Sequence, residues 1–263
     1  MITSVSNEKI KAVVKLQKKS AVRRQQAAFV VEGVRMAAEL PRERLIQAYA
    51  SQSFAGEEQN RELCLKLRAE IVADHVMAAM SDTQTPQGIL AVVRCQEAQA
   101  GQIRRAQDGL ILVLEGIRDP GNLGTVLRTA EGAGVTGVLM SRDTVDIYNP
   151  KVIRSTMGSI YRVPFAYVAD LRAEVRCLRE EGVHVCAAHL EGKQNYDEVN
   201  YQGPTAFLIG NEAAGLSVEL ASESSCLVRI PMAGRVESLN AAIASALLMY
   251  EAARQRRIKG DIR

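Results

Sequence analysis

The chain has 263 residues, enough for one large or two modest domains, and its 47% apolar content supplies ample material for a core. No apolar run reaches the roughly 18 residues of a membrane span, and the basic N-terminus lacks the hydrophobic stretch of an export signal, so the sequence predicts a cytoplasmic protein. Five cysteines with no CxxC pair match neither a disulfide framework nor the spacing of a zinc site.

The net charge of +3 conceals an asymmetry. Up to residue 26 the chain carries Lys9, Lys11, Lys15, Lys18, Lys19, Arg23 and Arg24 against Glu8 alone, which leaves the remainder net negative. Lys9–Lys19 reads as a helix with Ile10, Val13, Val14 and Gln17 on one side and lysines on the other. Such a cationic arm is either a contact for a phosphate backbone or a solvated helix face, and charge alone does not separate the two.

Strands are predicted at Phe29–Gly33, Leu45–Ser51, Glu70–Asp74 and Ile89–Val93, with helices at Val34–Leu40, Asn60–Arg68 and His75–Met80. This alternation predicts a small α/β domain over residues 1–97. Gln96–Asp108 is polar and without an apolar period, so residues 98–108 read as a linker. Beyond it, strands apolar throughout are predicted at Leu110–Leu114, Gly137–Met140, His184–Ala188, Ala206–Ile209 and Leu227–Ile230. Helices are predicted between and after them at Leu123–Ala133, Pro150–Tyr161, Leu171–Glu181, Val218–Ser222 and Ser238–Arg257. Buried strands separated by helices predict a parallel sheet covered on both faces over residues 109–263. Ligands on such sheets lie beyond the carboxyl ends of the strands.

Three loops occupy that position. In Glu115–Ala130 a buried strand runs through a Gly/Pro/Asn turn into a helix with Arg128 inside it. Asp119, Asn122 and the helix-start amides suit polar groups, and Arg128 suits a bidentate phosphate contact. The same residues also describe an ordinary strand-to-helix turn. The GxGxxG fingerprint and the Walker lysine are both absent. In Phe207–Ser217, Gly210 and Gly215 permit a tight turn around Glu212, which orients a substrate or caps local amides. In Ile230–Glu251, a strand ends at Gly234 and Ser238 stands where an N-cap belongs. From there Leu239, Ala242, Ile243, Ala246, Leu247 and Tyr250 fall on one helical face, which Leu248 and Met249 widen, so the helix is expected to be well buried; Arg254, Arg256, Arg257 and Lys259 load its C-terminus.

Taken in order, Asp119-Pro-Gly-Asn-Leu-Gly-Thr-Val-Leu-Arg128, Leu208-Ile-Gly-Asn-Glu-Ala-Ala-Gly-Leu216 and Ile230-Pro-Met-Ala-Gly-Arg-Val-Glu-Ser-Leu-Asn240 resemble the three signature motifs of the SpoU (TrmH) family of RNA ribose 2′-O-methyltransferases, in the SPOUT superfamily. The first domain, with Phe29-Val-Val-Glu-Gly33 and Thr85-Pro-Gln-Gly-Ile-Leu-Ala-Val-Val93, is similar to the family's small ribosomal-protein-like substrate-binding domain.

The resemblance implies an α/β SPOUT domain whose C-terminal segment is tucked into a trefoil knot, a homodimer with its active sites near the interface, and S-adenosylmethionine as methyl donor without a metal. Residue by residue, it implies a catalytic pocket lined by Asn122, Arg128, Glu212, Ser238 and Asn240. The donor is then held around Gly210, Ile230 and Leu239, with Leu208, Ile209 and Met232 nearby; the strand end Ala188-His-Leu190 also faces the donor in relatives, which leaves His189 either a donor contact or a structural histidine, the second being favoured. The substrate implied is a ribose 2′-OH of 23S ribosomal RNA, with Lys15, Lys18, Lys19, Arg23 and Arg24 as RNA contacts. Alternatives are a transfer RNA substrate, a non-catalytic RNA-binding relative, and a nucleotide-dependent enzyme of ordinary doubly wound type, which the missing phosphate fingerprints disfavour.

Overall fold

The structure, a computed structural model, describes residues 1–258; Lys259 therefore lies outside the described residues. In chain order the first elements are α1 (Glu8–Lys18), α2 (Ser20–Gln26), β1 (Ala28–Glu32), α3 (Val34–Ala38), β2 (Leu45–Ser51), α4 (Gln52–Gly56), α5 (Glu58–Leu67), β3 (Glu70–Val72), α6 (Asp74–Met80) and β4 (Ile89–Arg94). They continue with α7 (Ala100–Arg104), β5 (Leu110–Leu114), α8 (Pro120–Gly132), β6 (Gly137–Ser141), α9 (Pro150–Thr156), β7 (Phe165–Val168), α10 (Leu171–Glu180) and β8 (His184–Ala188). The last are β9 (Gln194–Asn195), β10 (Thr205–Ile209), α11 (Val218–Ala221), β11 (Cys226–Arg229) and α12 (Ala241–Ile258).

The chain divides into two units, the first being Met1–Gln96 together with Asp146–Tyr161. Its sheet runs β1-β4-β2-β3, antiparallel except for the β2–β3 pair. The apolar side of α1 (Ile10, Val13, Leu16) packs with Val76, Met77 and Met80 of α6 over Val30, Leu90 and Val92. Asp146–Tyr161 joins this unit instead of the continuous 109–263 domain predicted. Asp146 accepts hydrogen bonds from Arg23 Nε at 2.9 Å and Nη2 at 2.7 Å, and the Tyr148 ring lies 4.5 Å from that of Phe29.

The second unit comprises Glu97–Val145 and the chain from Arg162 on. Its seven strands are all parallel, in the order β7-β6-β5-β10-β8-β11-β9. Helices α10 and α11 cover one face, burying Leu171, Val175, Leu178 and Leu220 against Ile111, Val113, Val185, Ala206 and Leu208. Helices α8 and α12 pack on each other, and α12 packs on β10. Residues 98–108 do not form the predicted linker: they contain α7, whose Ile103 is buried in the second unit's core. The strands β7 and β9 and the helix α2 were not predicted.

Helix α12 differs from its predicted form in three ways. Asn240, not Ser238, is the cap: its Oδ1 accepts from Ala242 N at 2.9 Å and Ile243 N at 3.3 Å. The buried stripe is Ala241, Ala242, Ser245, Leu248, Met249 and Ala252, while Ile243 is 51% and Tyr250 53% exposed. Arg256 is not a solvated terminal charge. It is buried, and its guanidinium donates to the carbonyls of Tyr201, Asp108, Gly109 and Gly203, tying two loops to the helix end.

Candidate active site

The three sequence loops converge at the carboxyl ends of β5, β8, β10 and β11. Asp119 caps α8 by accepting from Asn122 N at 2.8 Å, with Pro120 in the first turn, which fixes where the Asn122 side chain leaves the helix. Asn122 Nδ2 donates to Glu212 Oε1, and Asn240 Nδ2 donates to Asn122 Oδ1 at 3.0 Å. One residue from each loop thus enters a single chain of hydrogen bonds. In it the Asn122 amide orientation is set at both ends: its nitrogen faces the carboxylate and its oxygen faces the Asn240 amide.

The Gly210–Ser217 loop is held as firmly. Asn211 and Gly215 exchange backbone hydrogen bonds of 3.2 and 2.9 Å, and Asn211 Oδ1 accepts from Ala213 N and Ala214 N. Gly215 takes a φ of +70°, which a side chain would strain. At Gly210 an added Cβ would lie 2.0 Å from the Gly215 carbonyl carbon and 2.1 Å from its oxygen. Glu115, at the end of β5, accepts from Ser217 N at 2.7 Å and Ser217 Oγ at 2.6 Å and so locks the far end of the loop.

Beside this loop opens a cavity of about 390 Å³, within the roughly 300–1,000 Å³ of small-molecule sites. Of the predicted donor-binding residues, Ile209, Gly210, Ile230, Met232 and Leu239 line it, together with Glu212 and Ser238. His189 and Leu190 from the end of β8 line it too. Glu191 N donates to His189 Nδ1 at 3.2 Å, which fixes the ring at the cavity wall. Leu208 does not line it: neighbouring residues of a strand point to opposite faces, and Leu208 is buried in the core under α10 and α11. Nor does Arg128. It stands about 9 Å along α8 from Asn122 and roughly a third of a turn around it, exposed, and among the described residues nothing hydrogen-bonds or ion-pairs with it.

Glu115 escaped the sequence reading because a carboxylate at a strand end carries no motif of its own. Replacing it by Gln keeps the shape but loses the negative acceptor for both Ser217 donors, at about 1.5–3 kcal/mol for a charged hydrogen bond. The expected outcome is roughly tenfold weaker donor binding by calorimetry with little change in kcat.

Of the cationic arm, Lys15, Lys18, Lys19 and Arg24 are exposed in whole or in part, but Arg23 is not available to a ligand. It is 4% exposed, pairs with Asp146, and donates through Nη1 to the Leu16 and Gln17 carbonyls, so it is a structural residue and not the RNA contact predicted.

Residues 109–250 match the model of the SpoU rRNA Methylase family, and residues 7–91 match that of the MRM3-like substrate binding domain. The chain is 31% identical over 252 residues to the 23S rRNA (guanosine(2553)-2′-O)-methyltransferase RlmP of Bacillus subtilis, covering 95% of this chain and 97% of that protein. Among solved structures, the AdoMet-bound rRNA methyltransferase of Sinorhizobium meliloti aligns with a TM-score of 0.84 at 32% identity, over 96% of this chain and 97% of that one. The SpoU methyltransferase AviRb of Streptomyces viridochromogenes, solved with AdoMet, aligns with a TM-score of 0.84 at 28% identity, over 95% and 98%. The chain belongs to the SpoU rRNA methylase family. It is an S-adenosylmethionine-dependent RNA methyltransferase with an N-terminal substrate-binding domain. Among the described residues, no helix is long and apolar enough to cross a membrane.

Proposed function

We propose that this enzyme methylates a ribose 2′-OH of 23S ribosomal RNA. The observation that carries the reading is the Asn240–Asn122–Glu212 chain of hydrogen bonds at the mouth of a mostly apolar cavity. The cavity suits S-adenosylmethionine. Ile209, Ile230, Met232 and Leu239 offer an apolar wall for the adenine, and the crowded Gly210 backbone gives a close-fitting cradle. Glu212 supplies negative charge where a sulfonium is expected. When bound, the donor supplies an electrophilic methyl whose transfer leaves a neutral thioether, so the leaving group needs no metal.

The chain's own residues then position the hydroxyl. Asn240 holds Asn122, which holds Glu212, and Ser238 offers a hydroxyl at the same wall. Alignment of this kind is worth roughly 7–11 kcal/mol of a barrier in favourable cases. The planar fork of Arg128 suits it to clamp the target phosphate and to stabilise charge developing on the attacking oxygen.

Arg128 is remote from its own protomer's cavity, and the apolar row Ile243, Leu247 and Tyr250 is left partly or largely exposed on α12, the helix packed against α8. Both features support a homodimer in which a second copy covers that row and Arg128 of one protomer serves the site of the other. The family's C-terminal trefoil knot belongs to the same reading, the segment from β11 to α12 being the part that threads.

A full-length match to a 23S ribosomal RNA enzyme supports ribosomal over transfer RNA. The test is methyl transfer from labelled S-adenosylmethionine to transcripts of 23S ribosomal RNA and of transfer RNA, with modified riboses located by their resistance to alkaline cleavage. A single protected 2′-position in the 23S transcript is the expected outcome. Label confined to transfer RNA, or to bases, contradicts it.

Lys15, Lys18, Lys19 and Arg24 form the RNA-facing arm. Neutralising all four is expected to weaken RNA binding and to flatten its salt dependence by about 0.9 in logarithmic slope for each phosphate that the arm no longer neutralises. An unchanged slope in a filter-binding titration would return them to the solvated surface.

A further inference from the structure

Parallel pairing brings together three residues that the sequence keeps up to 42 positions apart. His184 and Cys186 lie two apart on β8 and so share a face, and Cys226 of β11 is the register partner of Cys186. The Cys186 and Cys226 sulfurs are 3.4 Å apart, and His184 Nε2 lies 3.6 Å from Cys226 Sγ and 3.9 Å from Cys186 Sγ. A tetrahedral zinc ion, with bonds of about 2.3 Å to sulfur and about 2.05 Å to nitrogen, sets ligand–ligand edges near ~3.8 Å for S–S and ~3.6 Å for S–N. The three side chains already form one face of such a tetrahedron to within a few tenths of an ångström.

Tyr201 gives an independent observation. Its N–H donates to Gln255 Oε1 at 2.8 Å, its carbonyl accepts from Arg256, and its ring meets Phe207 edge-on at 5.0 Å. The side chain is fully buried, yet among the described residues its Oη has no hydrogen-bond partner. Phe207 is the strand neighbour of Cys186, and the Tyr201 hydroxyl lies within electrostatic range of both thiols. A buried hydroxyl without a partner is costly, and one beside a Cys2His cluster points to a ligand between them.

We propose that His184, Cys186 and Cys226 bind a thiophilic divalent cation, its fourth position taken by a water that the Tyr201 hydroxyl holds. Binding leaves two thiolates and a neutral imidazole around the ion, any proton the thiols hold passing to solvent. The site is separate from the methyl-transfer pocket. Its effect is on the frame: Ala188 and Val228, each two residues beyond a cysteine ligand, line the donor cavity. A cation joining β8 to β11 therefore clamps the two strand ends that carry His189 and Ile230.

The test uses the full-length protein, reduced, stripped with a chelator and kept anaerobic, titrated with Co²⁺ as the probe and then with Zn²⁺ as competitor. The expected result is a tetrahedral cobalt spectrum with thiolate-to-metal charge transfer, saturating at a single equivalent per chain and abolished by Zn²⁺. The metal-loaded protein melts at a higher temperature. Cys226→Ser reduces the charge-transfer intensity. Tyr201→Phe removes a hydroxyl that no described residue hydrogen-bonds, so the metal-free protein folds and the loaded one keeps the thiolate band, but it binds Zn²⁺ about tenfold more weakly. The proposal is overturned if the wild type shows no thiolate band, or if the band survives in the Cys186→Ser, Cys226→Ser double variant. It is overturned equally if Tyr201→Phe holds Zn²⁺ as tightly as the wild type.

Discussion

Arg128→Lys is expected to lower kcat by about 10²- to 10³-fold, the cost of removing one donor aimed at developing negative charge, while affinity for S-adenosylmethionine stays unchanged. Lysine keeps the charge but not the planar fork that grips a phosphate bidentately, so turnover separates a clamp from a general cationic field. Donor affinity is spared because Arg128 does not line the cavity. Arg128 is exposed and without a partner among the described residues, so its replacement leaves stability untouched, and any loss of activity reports on the reaction. Wild-type turnover in Arg128→Lys would exclude the clamp. The same residue tests the shared dimer site. At a donor concentration too low to fill the Gly210→Ala site, mixing Arg128→Ala and Gly210→Ala protomers should restore about a quarter of wild-type activity, because half the random dimers are mixed and each carries one intact site in a symmetric assembly of two. No recovery would put Arg128 to work in its own protomer or nowhere.

Gly210→Ala is expected to weaken S-adenosylmethionine binding by about 10- to 100-fold, in line with the roughly 1–3 kcal/mol of forcing a methyl into filled space. The obstacle is backbone and not a side chain that could swing away: the Gly215 carbonyl carbon and oxygen stand 2.0 and 2.1 Å from the new Cβ. Relief requires opening the loop against the reciprocal Asn211–Gly215 hydrogen bonds and the Glu115–Ser217 lock. Calorimetry checks the affinity, and circular dichroism checks that the sheet persists. Unaltered binding would mean that the donor does not touch this loop.

Much of this architecture is legible in the chain. Strands with uninterrupted apolar residues announce a parallel sheet buried on both faces, and the two glycine loops with the Asn240 segment announce where its ligand lies. The failures share a cause. An all-apolar strand hides its own alternation, so nothing in Thr205–Ile209 tells that Leu208 faces α10 while Ile209 reaches the cavity. Helix α12 has apolar residues on two sides; a single chain covers the side with Ala242, Leu248 and Met249, as the pattern expects, but leaves Ile243 and Tyr250 of the predicted row exposed. Ser238 and Asn240 are both good caps, and only the path of the loop selects the second.

Arg23 and Arg256 read as surface cations because their partners, Asp146 and four loop carbonyls, are distant in sequence. The same non-locality explains Asp146–Tyr161, which joins the first unit although a helix-sheet pattern surrounds it on both sides. The His184, Cys186 and Cys226 cluster has no motif spacing, since one of its members comes from a strand further along the chain.

The central claim is that the three loops build one donor cavity, and a crystal structure of the protein with S-adenosylmethionine tests it most directly. The donor is predicted to lie between the Gly210 loop, Ile230 and Leu239, with its methyl directed toward the Asn122–Glu212 pair. Density for the donor elsewhere on the chain, with that cavity left to solvent, would contradict the account.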